Sequence, residues 1–423
     1  MPDGPFPRQD RPDAPAPASG DATPPDTPGR DAAGAPDPGA TRPASPDGAH
    51  AARAATAPVP RDPPAPPGTP PSPPRGTPAR TLRDADALRD AGLIDPEARA
   101  AIAAVAERYA IAVTPAVAAL IDRDDPADPI ARQFVPDPAE LRTTPQELAD
   151  PIADGPHTPV PGVVHRYPDR ALLKPLLACP VYCRFCFRRE VVGPDGGVLA
   201  EPALEAALDW FRRTPQVREA ILTGGDPLML SPRRLGHIVA ALSAMPHIEI
   251  IRIHSRVPVA DPARITPALL DALDTDKALF LCVHANHARE FSADARTALR
   301  RLARGGVALL GQSVLLRGVN DSAAALEALF RAMLASRVKP YYLHQLDRAP
   351  GTARFEVPIA EGRALLRALR GRVTGLAWPT YVLDLPGGEG KAPLGPEFAA
   401  RDGAGWVVEG PLGGAWRQED APG

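Results

Sequence analysis

The stretch ALLKPLLACPVYCRFCFRRE, residues 171–190, joins an apolar run to three of the chain's four cysteines. Residues 171–178 read as a short strand, and Cys179, Cys183 and Cys186 follow within eight positions. Downstream the pairing of apolar run and polar turn recurs. EAILTG (219–224), IEIIRIHS (248–255), ALFLCVHA (278–285), VALLGQSVLL (307–316), KPYYLHQL (339–346) and PTYVLDLP (379–386) are further strand-like runs. Helical patterns lie between them. They include EPALEAALDWFRR (201–213), SPRRLGHIVAALSAM (231–245) with Ser231 as a cap before Pro232, and SADARTALRRLARGG, which Gly305 and Gly306 end. Strands alternating with helices of this length predict right-handed βαβ units and a parallel sheet, open or barrel-shaped. The polar residues decide between the two. The cysteines, GGDP, HSR, HANH, the Asp of HQLDR and Asp384 all sit just after strands, where a (β/α) barrel places its active site. The expected fold is α/β, a parallel (β/α) partial TIM-type barrel over residues 166–395.

Upstream, residues 81–165 form an expected helical preface. ADALRDAGLIDPEARAAIAAVAERY has apolar residues at helical spacing, and the Pro-rich GPHTPVPG (155–162) ends the region. Residues 1–80 hold 24 of the 56 prolines but only Met1, Phe6 and Val59 as large apolar side chains. Such a segment cannot bury enough apolar surface to offset its chain entropy, so a disordered tail is expected. Its nine Asp against eight Arg make it neither a basic nucleic-acid arm nor an acidic tail. Residues 396–423 read as an uninformative C-terminal tail.

Whole-chain charge of −3 gives no electrostatic case for nucleic acid. The first residues, MPDGPFPRQD, lack the apolar core of a signal peptide. The most apolar stretch, AIAAVAERYAIAVTPAVAALI, is interrupted by Glu107 and Arg108, so no membrane span is expected. Few cysteines in one tight cluster suit the reducing cytoplasm, where such clusters bind metal more often than they form disulfides.

Two metal chemistries fit three clustered thiols. A structural zinc site needs four ligands, and Cys282 lies about a hundred residues on inside an apolar strand, although His284 or His344 could complete a set. An iron–sulfur cluster held by three cysteines instead leaves one iron open for a ligand. Lys391, in PGGEGKAP (386–393), follows a strand and four residues of which three are glycine. A phosphate-binding P-loop does not fit, because Ala392 stands where a Ser or Thr would hold magnesium.

Taken as an ordered set, CPVYCRFCFRRE, LTGGDPL, HSRVPV, LLRGVND, YYLHQLD and PGGEGKAP resemble the lysine 2,3-aminomutase family of radical S-adenosylmethionine enzymes, over residues 100–395 or so. The cysteine motif with GGDP carries the superfamily, and the lysine loop adds the family. The resemblance implies an isomerase on a barrel of the radical SAM type. It implies that Cys179, Cys183 and Cys186 hold a 4Fe-4S cluster whose open iron takes S-adenosyl-L-methionine. Gly224, Gly225 and Asp226 would meet that cofactor's amino end, and Gln312 its other polar groups. Lys391 would carry pyridoxal 5'-phosphate, with Arg170 toward the phosphate.

For the substrate, a small amino acid, the resemblance implies Arg188 at the carboxylate and both Asp347 and Asp384 at the ε-ammonium of lysine. Two carboxylates can grip one ammonium, and leaving either unpaired in a closed site is costly. The reaction implied moves the α-amino group of L-lysine to the β-carbon, with an electron donor such as flavodoxin or ferredoxin as partner. The alternative is an aminomutase acting on a lysine of elongation factor P or on another amino acid; Asp384 and the loop beyond it favour free lysine. Some members bind zinc through extra C-terminal cysteines that join subunits. None follows Cys282 here, so a homo-oligomer would need another interface.

Overall fold

The computed structural model describes residues 78–420 apart from Ala404 and Leu412, so the expected disordered tail lies almost wholly outside the described residues. Four short helices come first: α1 (Ala85–Asp90), α2 (Arg99–Ala106), α3 (Pro115–Ala118) and α4 (Pro129–Phe134). The periodicity over 85–109 would suit one long helix. Gly92, at φ 65°, ends α1 instead, and Pro96 opens the next turn. Asp84 caps α1 by accepting from Ala87 N–H, and Asp128 caps α4 by accepting from Ile130 and Ala131 N–H. The inner faces meet in a core of Leu88, Ile102, Val113, Ile130 and Phe134, which Val181 of the cysteine stretch enters. The preface is thereby packed onto the cysteines.

Nine strands then form one sheet in sequential order. β1 (Val163–Tyr167) is antiparallel to β2 (Arg170–Leu176). From β2 the strands run parallel through β3 (Glu219–Gly224), β4 (Ile250–Ser255), β5 (Ala278–His284), β6 (Ala308–Val314), β7 (Lys339–His344) and β8 (Thr380–Leu385). Helical crossovers join them: α5 (Glu201–Arg212), α6 (Pro232–Ser243), α7 (Val257–Ala260) with α8 (Pro267–Asp271), α9 (Ala293–Arg304), α10 (Ala323–Ala335) and α11 (Ile359–Leu369). β9 (Gly390–Pro393) turns back antiparallel on β8.

Strands covered on both faces are apolar almost throughout, as in β3, where Ala220, Ile221, Leu222 and Thr223 are all buried. The helices bury one stripe each. In α9 it is Ala295, Ala298, Leu299 and Leu302, with Ser292 capping the first turn and Gly306 at φ 82° just past the end. β1 and β9 do not pair with each other, so the barrel is partial. Side chains bridge the seam: the Tyr167 hydroxyl accepts from Lys391 N–H at 2.8 Å, and His157 Nε2 lies 3.2 Å from the Gly387 carbonyl oxygen.

The segment after residue 395, uninformative as sequence, adds a three-stranded antiparallel sheet: β10 (Ala399–Asp402), β11 (Gly405–Glu409) and β12 (Ala415–Glu419). Among the described residues no helix is long and apolar enough to cross a membrane.

Candidate active site

A cavity of about 450 Å³ occupies the barrel, lined from strand starts such as Arg170 and Glu219 to residues at and beyond the carboxyl ends of the strands. Its wall includes Arg170, Cys179, Cys183, Cys186, Arg188, Gly224, Gly225, Asp226, Gln312, Asp347, Asp384 and Lys391. Every site residue singled out in the sequence therefore reaches one chamber, although these residues are spread over more than two hundred positions.

The cysteine loop is held from behind. Tyr182 N–H donates to Ala112 O at 3.0 Å and Arg184 N–H to Gln133 O at 2.9 Å, which ties the loop to the preface. Glu140 and Arg184 are fully buried, with Arg184 Nε 2.9 Å from Glu140 Oε1, and the same carboxylate also accepts from Arg189. Burial pushes all three thiols up, Cys186 to about 11, with neighbouring thiols adding to the effect at Cys179 and Cys186. Such thiols become ligands only when a metal displaces their protons. Among the described residues the three sulfurs do not all lie within 4.8 Å of one another, nor do two of them with a histidine or carboxylate. A single zinc with bonds of about 2.3 Å requires sulfurs about 3.8 Å apart. Three thiols with a free approach from the cavity suit an iron–sulfur cluster, which takes three protein ligands and leaves one iron open.

The GGDP turn presses on the same loop. A Cβ on Gly225 would lie 2.2 Å from Ala178 O, and Gly224 sits at φ 107° with Leu176 O 2.6 Å from where its Cβ would be. Asp226, expected to reach a cofactor's amino end, has both carboxylate oxygens committed to the protein. Oδ1 accepts from Leu228 N–H at 3.1 Å and Ser255 Oγ at 2.8 Å, and Oδ2 from Arg256 N–H at 2.7 Å and Val257 N–H at 3.1 Å. Its carboxylate welds the ends of β3 and β4 together. Gln312 differs: its Oε1 is buried without a hydrogen-bond partner, as is His254 Nε2 on the same wall. Unpaired buried polar atoms facing a cavity suit a polar ligand.

Lys391 also lines the cavity, and its ammonium touches Asp384 Oδ1. His344 Nδ1 lies 3.2 Å from Asp384 Oδ2. Burial raises the Asp384 carboxyl, but the His344 hydrogen bond and the Lys391 charge outweigh it and hold the group well below the usual range. Asp347 makes no side-chain hydrogen bond or ion pair among the described residues. Burial, reinforced by the Asp384 charge, pushes it up to about 7. Arg188 donates through Nε to Asp154 Oδ2 at 2.8 Å. Arg170 lies over the Tyr167 ring at 3.7 Å and pairs with Asp169 at 2.8 Å, so its charge is already part-neutralised.

The cavity also holds His254, not singled out beforehand, together with His284 and His344, which the sequence offered only as possible zinc ligands; burial depresses all three imidazoles, His284 to about 3. HSR, HANH and HQLDR at strand ends were the available signal. Asp154 had none.

No family model matches the chain. Individual proteins do. The L-lysine 2,3-aminomutase of Clostridium subterminale is 42% identical over 288 residues, which cover 68% of this chain and 69% of that protein. The chain belongs to the lysine 2,3-aminomutase family of radical S-adenosylmethionine enzymes. The Fusobacterium nucleatum L-lysine 2,3-aminomutase is 40% identical over 69% of each chain. A glutamate 2,3-aminomutase of Clostridioides difficile is 31% identical over 77% of each. Members of the lysine 2,3-aminomutase family are isomerases that use a 4Fe-4S cluster, S-adenosylmethionine and pyridoxal phosphate.

Proposed function

We propose that this aminomutase takes free L-lysine and moves its α-amino group to the β-carbon. One observation carries the choice of substrate: a cavity with two carboxylates, Asp347 and Asp384, and a guanidinium, Arg188, beside Lys391 and three thiols. Lysine has an ammonium for the first pair and a carboxylate for the second group. Glutamate would bring a second carboxylate against Asp347 and Asp384, and like charges there repel at a cost of several kcal/mol.

In this reading Cys179, Cys183 and Cys186 hold the cluster, the 224–226 backbone and Gln312 receive S-adenosylmethionine, and the Lys391 amine carries pyridoxal phosphate with Arg170 toward its phosphate. When bound, these groups supply a carbon radical that abstracts hydrogen and a conjugated ring that steadies the migrating nitrogen. The protein's part is placement. Asp384, kept ionised by His344, and Asp347 would grip the ε-ammonium; Arg188 would take the carboxylate; Lys391 Nζ would hold pyridoxal phosphate, leaving Asp384 to the substrate. The barrel wall excludes water and stray hydrogen donors. A one-electron donor of the flavodoxin or ferredoxin kind and a cytoplasmic location complete the proposal.

Protein purified without oxygen and reconstituted with iron and sulfide is given L-lysine, S-adenosylmethionine, pyridoxal phosphate and dithionite, and β-lysine is measured. Product from wild type, none from Cys183→Ala or Lys391→Ala, and none from L-glutamate is the expected pattern. Intact cofactors with untouched lysine would refute the substrate, and iron-free protein after reconstitution would refute the chemistry.

A further inference from the structure

We propose that Asp154 is a positioning residue for substrate recognition: by holding Arg188 through Nε it selects the edge of the guanidinium that meets the substrate carboxylate. The inference rests on the reading of Arg188 given above.

Asp154 belongs to the preface, not to the barrel, and its loop is built to aim it. Asp150 Oδ1 accepts from Asp154 N–H and Oδ2 from Gly155 N–H, both at 2.9 Å. Between them Ala153 sits at φ 52°, a left-handed setting that residues with a Cβ avoid unless the surroundings impose it. The turn drives the Asp154 side chain inward, where the residue is 8% exposed. It there meets three cations from separate elements. Arg188 Nε is 2.8 Å from Oδ2, Lys174 Nζ of β2 3.4 Å from Oδ2, and Arg166 Nη2 of β1 3.4 Å from Oδ1. Burial raises the Asp154 carboxyl, but Arg188, Lys174 and Arg166 together bring it down to about 2, so it stays an anion at any working pH.

Two consequences follow for Arg188. A guanidinium can dock a carboxylate side-on through Nε and one Nη, or end-on through both Nη groups. With Nε given to Asp154 at 2.8 Å, the side-on edge is filled and the end-on fork is left for the cavity. One anion among three cations also leaves that wall net positive, which favours a carboxylate there. Asp154 thus separates orientation from charge: it fixes the first while only partly cancelling the second.

The test asks whether Asp154→Asn changes carboxylate recognition in particular. Reconstituted holoenzyme is titrated calorimetrically with L-lysine and with L-lysinamide, which lacks the carboxylate charge, and KM and kcat are measured for L-lysine. In wild type the acid binds more tightly than the amide. Asp154→Asn is expected to reduce that ratio about tenfold and raise KM similarly, with kcat changed less than about threefold, since a charge-assisted fork is lost but the reacting atoms are not touched. A merely structural defect would weaken both ligands alike. A ratio that stays the same, or that rises because the added positive field dominates, overturns the proposal. Asp154→Glu keeps the charge, shifts the carboxylate by one methylene and should give an intermediate ratio; if Asp154→Asn does not fold, Asp154→Glu decides alone, and an unchanged ratio again overturns the idea. Arg188→Ala separates the two layers. If it leaves the ratio unchanged, the carboxylate assignment of Arg188 fails; if it collapses the ratio while Asp154→Asn does not, only the role of Asp154 fails.

Discussion

Asp384 and Lys391 are direct partners across the β8–β9 ladder, and the lysine ammonium touches the aspartate's Oδ1. One antiparallel turn therefore places both a candidate cofactor-bearing amine and a candidate substrate-binding carboxylate. The turn can be this tight because Gly388 and Gly390, at φ 83° and 103°, pass where a Cβ would strike His157 Nε2 at 2.5 Å and Tyr167 Oη at 2.9 Å. Across the seam, Tyr167 Oη then pins the Lys391 backbone.

Incubation with pyridoxal phosphate and borohydride should leave a covalent pyridoxyl group on Lys391, located by peptide mapping, and none in Lys391→Ala. Surface lysines would instead label unspecifically and survive the substitution. Tyr167→Phe keeps the ring under Arg170 but frees the Lys391 N–H. It should retain labelling at a reduced rate, since the hairpin loses one hydrogen bond worth about 1 kcal/mol.

Asp347 sets a pH dependence. Its carboxyl is raised to about 7, by burial first and by Asp384 second, and it must ionise to hold an ammonium. Lysine affinity should therefore weaken about tenfold per pH unit as pH falls below 7, and Asp347→Asn should abolish this slope along with most of the affinity. Stability moves the opposite way. An acid whose folded pKa is raised contributes stability that is complete below its unfolded value near 4 and is lost as pH rises through about 7. Substrate-free Asp347→Asn should thus exceed wild type by roughly 4 kcal/mol at pH 8, three pH units at about 1.4 kcal/mol each, and match it at pH 4, as read from denaturant midpoints.

The parallel strands were legible because they are buried on both faces and read as unbroken apolar runs; β3 coincides with EAILTG, and β5 to β8 end within two residues of their runs. The edge strands were not. VVHRY in β1 is half polar, and GKAP in β9 carries a glycine, a lysine and a proline, so neither has an apolar run to find. The cysteines, Lys391 and the aspartates were legible as types in an order, but their relation to one another was not. Nothing local says that four protein donors fill Asp226, or that Asp347 has none. Asp154 lay furthest out of reach, because its three partners come from β1, β2 and the cysteine loop and meet only after folding.

Glu140 is the buried counter-ion behind the cysteine loop, shared by Arg184, Arg189 and Arg354. Replacing it by Gln removes one negative charge from between guanidinium groups that cannot reach water. Breaking a buried pair in this way costs about 3–5 kcal/mol. Glu140→Gln should lower the denaturant midpoint accordingly and lose iron on gel filtration faster than wild type. A stability within about 0.5 kcal/mol of wild type would show that water or rearrangement solvates the arginines.

Gly225→Ala tests whether the GGDP turn acts on the cysteines through backbone contact. The new methyl would lie 2.2 Å from Ala178 O and 2.5 Å from Leu177 C, and both atoms belong to the chain that leads into Cys179. Neither is a flexible side-chain end, so the strand end must move, at a cost of about 1–3 kcal/mol. The displacement should appear as reduced iron and sulfide content after reconstitution, with pyridoxyl labelling of Lys391 unchanged, because the atoms nearest the new methyl belong to residues 177 and 178 and not to the β8–β9 hairpin. Gly197→Ala, whose methyl would meet nothing within 4 Å, is the matched control and should be silent in both assays. Equal loss of cluster and of labelling in Gly225→Ala would mean that the substitution unfolds the barrel as a whole, and that the turn has no private connection to the thiols.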